Sequence, residues 1–168
     1  MLIGEYTHSL DDKNRISLPV KFRKEVGKKV VLTHGLDNCL FLYPLSEWKK
    51  ISEKLSGLSI GQADTRGFNR FMQAGASEVD IDSAGRLLLP EHLKTFAGLG
   101  GSGTSGKISE GNGTGERTNA GENGQKVVFA GVNNRIELWN ETRWIEYKKR
   151  IESQADRLAE KLGEIGVF

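Results

Sequence analysis

One nine-residue frame occurs twice in this chain. Asp11-Asp12-Lys13-Asn14-Arg15-Ile16-Ser17-Leu18-Pro19 returns as Asp82-Ser83-Ala84-Gly85-Arg86-Leu87-Leu88-Leu89-Pro90, 71 residues later. Both read Asp, three residues, Arg, an apolar-rich run, then Leu-Pro. An internal repeat constrains the fold strongly, because a repeated unit buries its apolar face against its neighbour. Each copy reads as a turn, a short strand and a helix start. Asp, Asn, Ser and Gly supply turn chemistry. Ile16 to Leu18 and Leu87 to Leu89 are apolar enough for buried strands. Pro19 and Pro90 suit the first helical position, where a missing N–H costs nothing.

A hairpin pattern follows each frame. Val30-Val31-Leu32-Thr33, the turn Gly35-Leu36-Asp37-Asn38, and Cys39-Leu40-Phe41-Leu42-Tyr43 form the first. Val127-Val128-Phe129, Gly131-Val132-Asn133-Asn134 and Ile136-Glu137-Leu138-Trp139 form the second. Val31 matches Val127, Gly35 matches Gly131, Asn38 matches Asn134 and Trp48 matches Trp144, all at an offset of 96. The two offsets differ by 25, which places an insertion at Gly100 to Gly124 in the second copy. Nine of its residues are Gly and Ile108 is its only large aliphatic. Such a segment cannot bury enough apolar surface to offset its ordering entropy, so a flexible loop is expected. Its Gly101-to-Ile108 run contains G-x-G-x-x-G and falls one residue short of a P-loop. Both motifs need a strand before and a helix after. Here a short helix precedes and polar residues follow, so no nucleotide site is expected.

Helices are expected from Pro19 to Val26, from Pro44 to about Leu55, from Asp64 to Ala74 and after Pro90. Trp144, Tyr147, Ile151, Ala155, Leu158 and Leu162 recur at spacings of three and four, which predicts one long helix from Asn140 to about Leu162. The divisions are residues 5–47 and 76–144 for the two repeats, 48–75 for a helical connector, and 145–168 for the C-terminal helix and tail. Halves of about 45 residues are too small to be comfortably stable alone. They are expected to interlock into one α+β domain about an approximate twofold axis, with both Arg-bearing turns on a common face.

The net charge of +2 says little about partners, but its distribution says more. From Asp11 to Lys29, seven basic residues stand against three acidic ones, a clustering that attracts phosphate. Cys39 is the only cysteine, which rules out an intramolecular disulfide and suggests a small core residue. No signal-peptide pattern and no apolar run of membrane-spanning length is present, so a cytoplasmic location is expected. His8, His34 and His92 lack paired metal-ligand spacing, and no nucleophile elbow or Cys/His frame occurs. The expectation is a non-enzyme with no metal and no cofactor.

Twofold-related Arg side chains on turns suit contacts to the bases and phosphates of duplex DNA. Asp11 and Asp82 would brace Arg15 and Arg86 rather than touch DNA, since a carboxylate repels phosphate. Lys13, Asn14, Lys21 and Arg23 are the further candidates for DNA contact. Lys13 and Asn14 have no counterpart in Ser83-Ala84-Gly85. Asp82 to Leu99 balances Arg86 and Lys94 against Asp82 and Glu91, so the first copy is expected to make more phosphate contacts.

The paired frames resemble the MraZ family of bacterial proteins. So do the opening Ile3-Gly4-Glu5-Tyr6, the segment from Phe71 to Glu78, and Val128-Phe129-Ala130-Gly131-Val132 with Glu137-Leu138-Trp139. The likeness spans nearly the whole chain except the Gly-rich insertion, which is not part of the family pattern. It implies two tandem SpoVT/AbrB-like swapped-hairpin halves forming a pseudo-twofold β-barrel with short helices. It implies a transcriptional regulator that binds double-stranded DNA at repeated promoter sites of the division and cell-wall gene cluster. It further implies a ring-shaped homo-oligomer, associated with the nucleoid, whose DNA-contacting motif holds Arg15 and Arg86. AbrB-like barrels also serve as assembly domains, so a protein-interaction or scaffolding module is the alternative.

Overall fold

A computed structural model describes residues 1–100 and 124–166. The expected loop at Gly100 to Gly124, with its P-loop-like run, lies outside the described residues apart from its two ends. The described chain runs β1 (Leu2–Ser9), β2 (Arg15–Ser17), α1 (Val20–Val26), β3 (Lys29–His34), β4 (Leu40–Pro44), α2 (Leu45–Ser56) and α3 (Ala63–Ala74). It continues as β5 (Ser77–Asp80), β6 (Arg86–Leu88), α4 (Glu91–Phe96), β7 (Lys126–Asn133), β8 (Arg135–Asn140), α5 (Glu141–Glu152) and α6 (Ala155–Glu164). Pro19 and Pro90 occupy the cap positions, with extended ψ of 133° and 137°, and the helices start one residue later.

The α+β expectation holds. Six strands form an antiparallel sheet in the order β1-β7-β8-β4-β3-β5, and β2 pairs with β6 in a separate ribbon. The order is a palindrome in the repeat: β1 corresponds to β5, β7 to β3 and β8 to β4. The first strand of each copy pairs with the hairpin of the other, β1 on β7 and β5 on β3. The axis passes between Phe41 and Glu137 in the sheet and between Ile16 and Leu87 in the ribbon, each the centre of a three-residue register.

The expected barrel is corrected. Among the described residues the ladder stays open at β1 and β5. β1 and β5 each run into a tight turn and re-emerge as a three-residue strand. Leu-Pro then ends that strand, because proline has no N–H to extend a ladder. The ribbon therefore lies over the sheet rather than joining its edges.

The constant offset of 96 is corrected as well. It holds for β4 with β8 and for α2 with α5. Val30, however, faces Pro44 as Val127 faces Asn140, an offset of 97 on the first strand. The first turn brackets three residues between Gly35 and Cys39, with Gly35 N–H donating to the Cys39 carbonyl at 2.8 Å. The second closes with two, Asn133 and Asn134, between paired Val132 and Arg135. Left-handed backbone at Asp37, Asn38 and Asn133 makes both turns possible.

Strand alternation divides the apolar residues between two faces. On one face Val30, Leu32, Leu40, Leu42, Phe129, Ile136 and Leu138 pack with Ile16 and Leu87 of the ribbon, Phe22 of α1 and Leu93 of α4. On the other, Phe41, Tyr43, Val128 and Trp139 pack with Leu55 of α2, Met72 of α3, and Trp144 and Tyr147 of α5. Cys39 is buried there, and burial raises its thiol pKa well above the ordinary range. Thr33 is buried too, its hydroxyl donating to the Met72 carbonyl at 2.6 Å.

The single C-terminal helix is also corrected. It breaks at Ser153 and Gln154 into α5 and α6. Ser153 Oγ donates back to the Arg150 carbonyl at 2.8 Å, a local bond that competes with helix continuation. Trp144 and Tyr147 still pack on the sheet, whereas Leu162 and Ile165 are exposed.

Gly131 shows how tightly the exchanged strand is seated. A Cβ there would lie 2.8 Å from the backbone of Leu2 and Ile3 on β1. Gly131→Ala should therefore cost about 1–3 kcal/mol by overpacking, read as a lower urea midpoint. An unchanged midpoint would mean that β1 does not sit this close to β7.

Candidate nucleic-acid interface

The ribbon sets out the candidate residues. Ile16 and Leu87 point into the core, so Arg15, Ser17, Arg86 and Leu88 face outward. Arg15 lies opposite Leu88 and Ser17 opposite Arg86. Both arginines thus stand on one face, related by the ribbon's pseudo-twofold axis.

Each arginine is held by its own turn. Asp11 Oδ1 accepts from the backbone N–H groups of Lys13 at 2.9 Å and Arg15 at 2.8 Å. Its Oδ2 accepts from Arg15 Nε at 2.8 Å and pairs with the terminal guanidinium nitrogen at 2.8 Å. Asp82 does the same for Ala84 N–H, Arg86 N–H and Arg86 Nε, each at 2.9 Å. Asn14 and Gly85 occupy the same place in the two turns, with φ of 58° and 77°. The Asp-to-Arg spacing of four is what this geometry needs: one carboxylate closes the turn on its backbone side and orients the guanidinium on the other.

The Arg15 and Arg86 backbone N–H groups, foremost, hold the two carboxyls below the ordinary Asp value; slight desolvation opposes this and the guanidinium groups add to it. A depressed folded-state pKa means that the bracing is complete above the unfolded-state value and is lost as pH falls through the folded one. The Asp11 and Asp82 side-chain carboxyls should therefore titrate lower in the folded protein than in a short unfolded peptide of the same turn. Carbon-detected NMR across pH 2–6 reads this; equal midpoints would remove the brace.

The antiparallel β2–β6 pairing brings each turn against the other copy's helix. Leu18 N–H donates to the Gly85 carbonyl and Leu89 N–H to the Asn14 carbonyl, both at 2.9 Å. Arg23 of α1 therefore reaches the second turn. Its Nε donates to the Leu18 carbonyl at 2.7 Å, and a Cβ on Gly85 would collide with its guanidinium group. Lys94 of α4 reaches the first turn, its Nζ donating to Asn14 Oδ1 at 2.8 Å and pairing with Glu91 at 2.8 Å.

Arg15, Lys13 and Asn14 thus share one turn, while Arg23 lies with Arg86. Lys21 is exposed on the same helix as Arg23. Lys94 and Glu91 were not among the candidate site residues. The repeat offset carries the signal, because adding 71 to Arg23 lands on Lys94. Among the described residues no cluster of His, Cys, Asp and Glu could hold a metal ion, and no helix is long and apolar enough to cross a membrane.

Fold and site define a pseudo-twofold α+β protein that displays two Asp-braced arginines on a short β-ribbon. A family model described as "MraZ protein, putative antitoxin-like" matches residues 1–71. The chain is 40% identical to the transcriptional regulator MraZ of Syntrophomonas wolfei, over 99% of this chain and all of that protein. The proteins of the same name from Caldanaerobacter subterraneus and Clostridium acetobutylicum are 41% and 40% identical, each over 99% of this chain and their full length. The chain belongs to the MraZ family of transcriptional regulators.

Proposed function

We propose that this protein regulates transcription by binding duplex DNA, with the β2–β6 ribbon entering the major groove. A groove about 12 Å wide admits a two-stranded ribbon, and Arg is the commonest side chain reading guanine O6 and N7 there. The observation that carries the reading is the pair of outward, Asp-held arginines around one axis. Preset guanidinium groups lose little freedom on binding, so the bracing favours affinity as well as specificity. Lys13, Asn14, Lys21 and Arg23 are the further contacts, to phosphate or to base edges.

The exchange of β1 and β5 supports the swapped-hairpin, AbrB-like class, with repeats at residues 5–47 and 76–144. The family to which the chain belongs supports action at promoters, and we place that action at the division and cell-wall gene cluster. A ring-shaped homo-oligomer at the nucleoid would let weak contacts per subunit add up across repeated sites. Retardation of DNA from upstream of the chain's own coding sequence, with native mass measured on the same sample, tests both parts. Binding should weaken steeply with added salt. An assembled protein that leaves this DNA unretarded at moderate salt would favour the scaffolding reading, with the exposed Leu162 and Ile165 as a partner surface.

A further inference from the structure

We infer that the two arginine turns are unequal reading heads, each completed by the other copy's helix. In this division Arg23 makes the Arg86 turn the phosphate anchor. Lys94 makes the Arg15 turn the base-reading head by positioning Asn14. The inference rests on the DNA-binding reading above.

Charge separates the heads. Around Arg15 stand Lys13 and Lys94, against Asp11, Asp12 and Glu91: three cations to three carboxylates. Around Arg86 stands Arg23, against Asp82: two cations to one carboxylate. Glu25 of the same helix is turned to the N-terminal amine of Met1. Among the described residues Arg23 and Lys24 form no ion pair, whereas Lys94 is paired with Glu91. Unpaired cations release counterions when they meet phosphate, and a cation already neutralised by a neighbour adds less. Arg23, close to Arg15 in sequence, thus serves the Arg86 turn in space.

Side-chain chemistry separates them again. An ammonium only donates, so the Asn14 atom 2.8 Å from Lys94 Nζ is the carbonyl oxygen, and the amide orientation follows. Asn14 Nδ2 then lies on the Glu91 side, at 3.4 Å. The Lys94 side chain is only 12% exposed, which suits a positioning residue and not a phosphate contact. An oriented amide offers the donor and acceptor pair that matches adenine N6 and N7. The second turn has no amide: Gly85 stands there, beneath Arg23.

The test is anisotropy titration of the intact protein with its own upstream DNA and with a shuffled duplex, over a salt series. Arg23→Gln should weaken binding to both duplexes alike and reduce the salt slope by about one per protomer, while Arg23→Lys keeps the slope. Asn14→Gly copies the second turn and tolerates the positive φ. It should keep the slope and cut the preference for upstream over shuffled DNA about tenfold. Lys94→Met should do the same, and Lys94→Arg should restore part of the preference. The inference is overturned if Lys94→Met lowers the slope, if Arg23→Gln leaves it unchanged, or if folded Asn14→Gly keeps full preference. Wild-type protein that binds neither duplex, or Arg15→Ala and Arg86→Ala that bind normally, overturns the underlying DNA-binding reading along with this one.

Discussion

Alanine at Arg15 is expected to weaken binding to promoter DNA by about 10- to 100-fold per protomer, and alanine at Arg86 to weaken binding to promoter and shuffled DNA alike. A bidentate contact to a base contributes about 1–3 kcal/mol of discrimination, which sets that range. Two effects push toward its upper end. Removing the guanidinium releases Asp11, whose carboxylate then faces the phosphates without a counter-charge. If subunits bind repeated sites together, the loss compounds across them. Stability should hardly change, because each Arg–Asp pair is partly exposed and screened by solvent. Circular dichroism melting separates the two effects. Folded Arg15→Ala and Arg86→Ala proteins with wild-type DNA affinity would remove the ribbon from the interface.

Leu87→Ala should have the largest effect on stability, about 2–5 kcal/mol. Leu87 is 1% exposed and pairs with fully buried Ile16 on the ribbon's axis. A ribbon of two three-residue strands has no stability of its own and is held by what it buries. Such a loss is a large share of the 5–15 kcal/mol typical of a domain. It should lower the urea midpoint and loosen both arginine turns, since both flank this pair. A change below about 1 kcal/mol would mean that the side chain is not seated in the core. Ile16→Ala, the same position in the other copy, should behave alike.

The turns were legible because their bonds are local. Asp11 reaches Lys13 and Arg15, and Asp82 reaches Ala84 and Arg86, all within four residues. The hairpins were legible from apolar runs on either side of turn residues, but their register was not. One residue fewer in the second turn shifts β7 by one against the expected match, and only pairing reveals on which strand the shift falls. The C-terminal stripe was legible, but the break at Ser153 was not. Serine is an ordinary helix residue until its hydroxyl bonds back to the Arg150 carbonyl. The family likeness suggested a closed barrel, yet Leu-Pro stops each ribbon strand before it can bridge the sheet edges.

The amino-acid sequence by itself determined the two Asp-braced arginines, the presence of a helix at each of Pro19, Pro44 and Pro90, and the pairing of two like halves. Each depends on contacts within a few residues or on the repeat. Only the tertiary structure decided which neighbours each arginine has. In sequence the charges of α1 follow Arg15; in space Arg23 lies against Gly85 and Lys94 against Asn14. The cause is the antiparallel pairing of β2 with β6, which sets the end of each ribbon strand beside the other copy's turn. A strand's partner is set by the burial of a whole sheet face and not by its chain neighbours. That pairing carries each copy's helix across the axis to the other copy's turn.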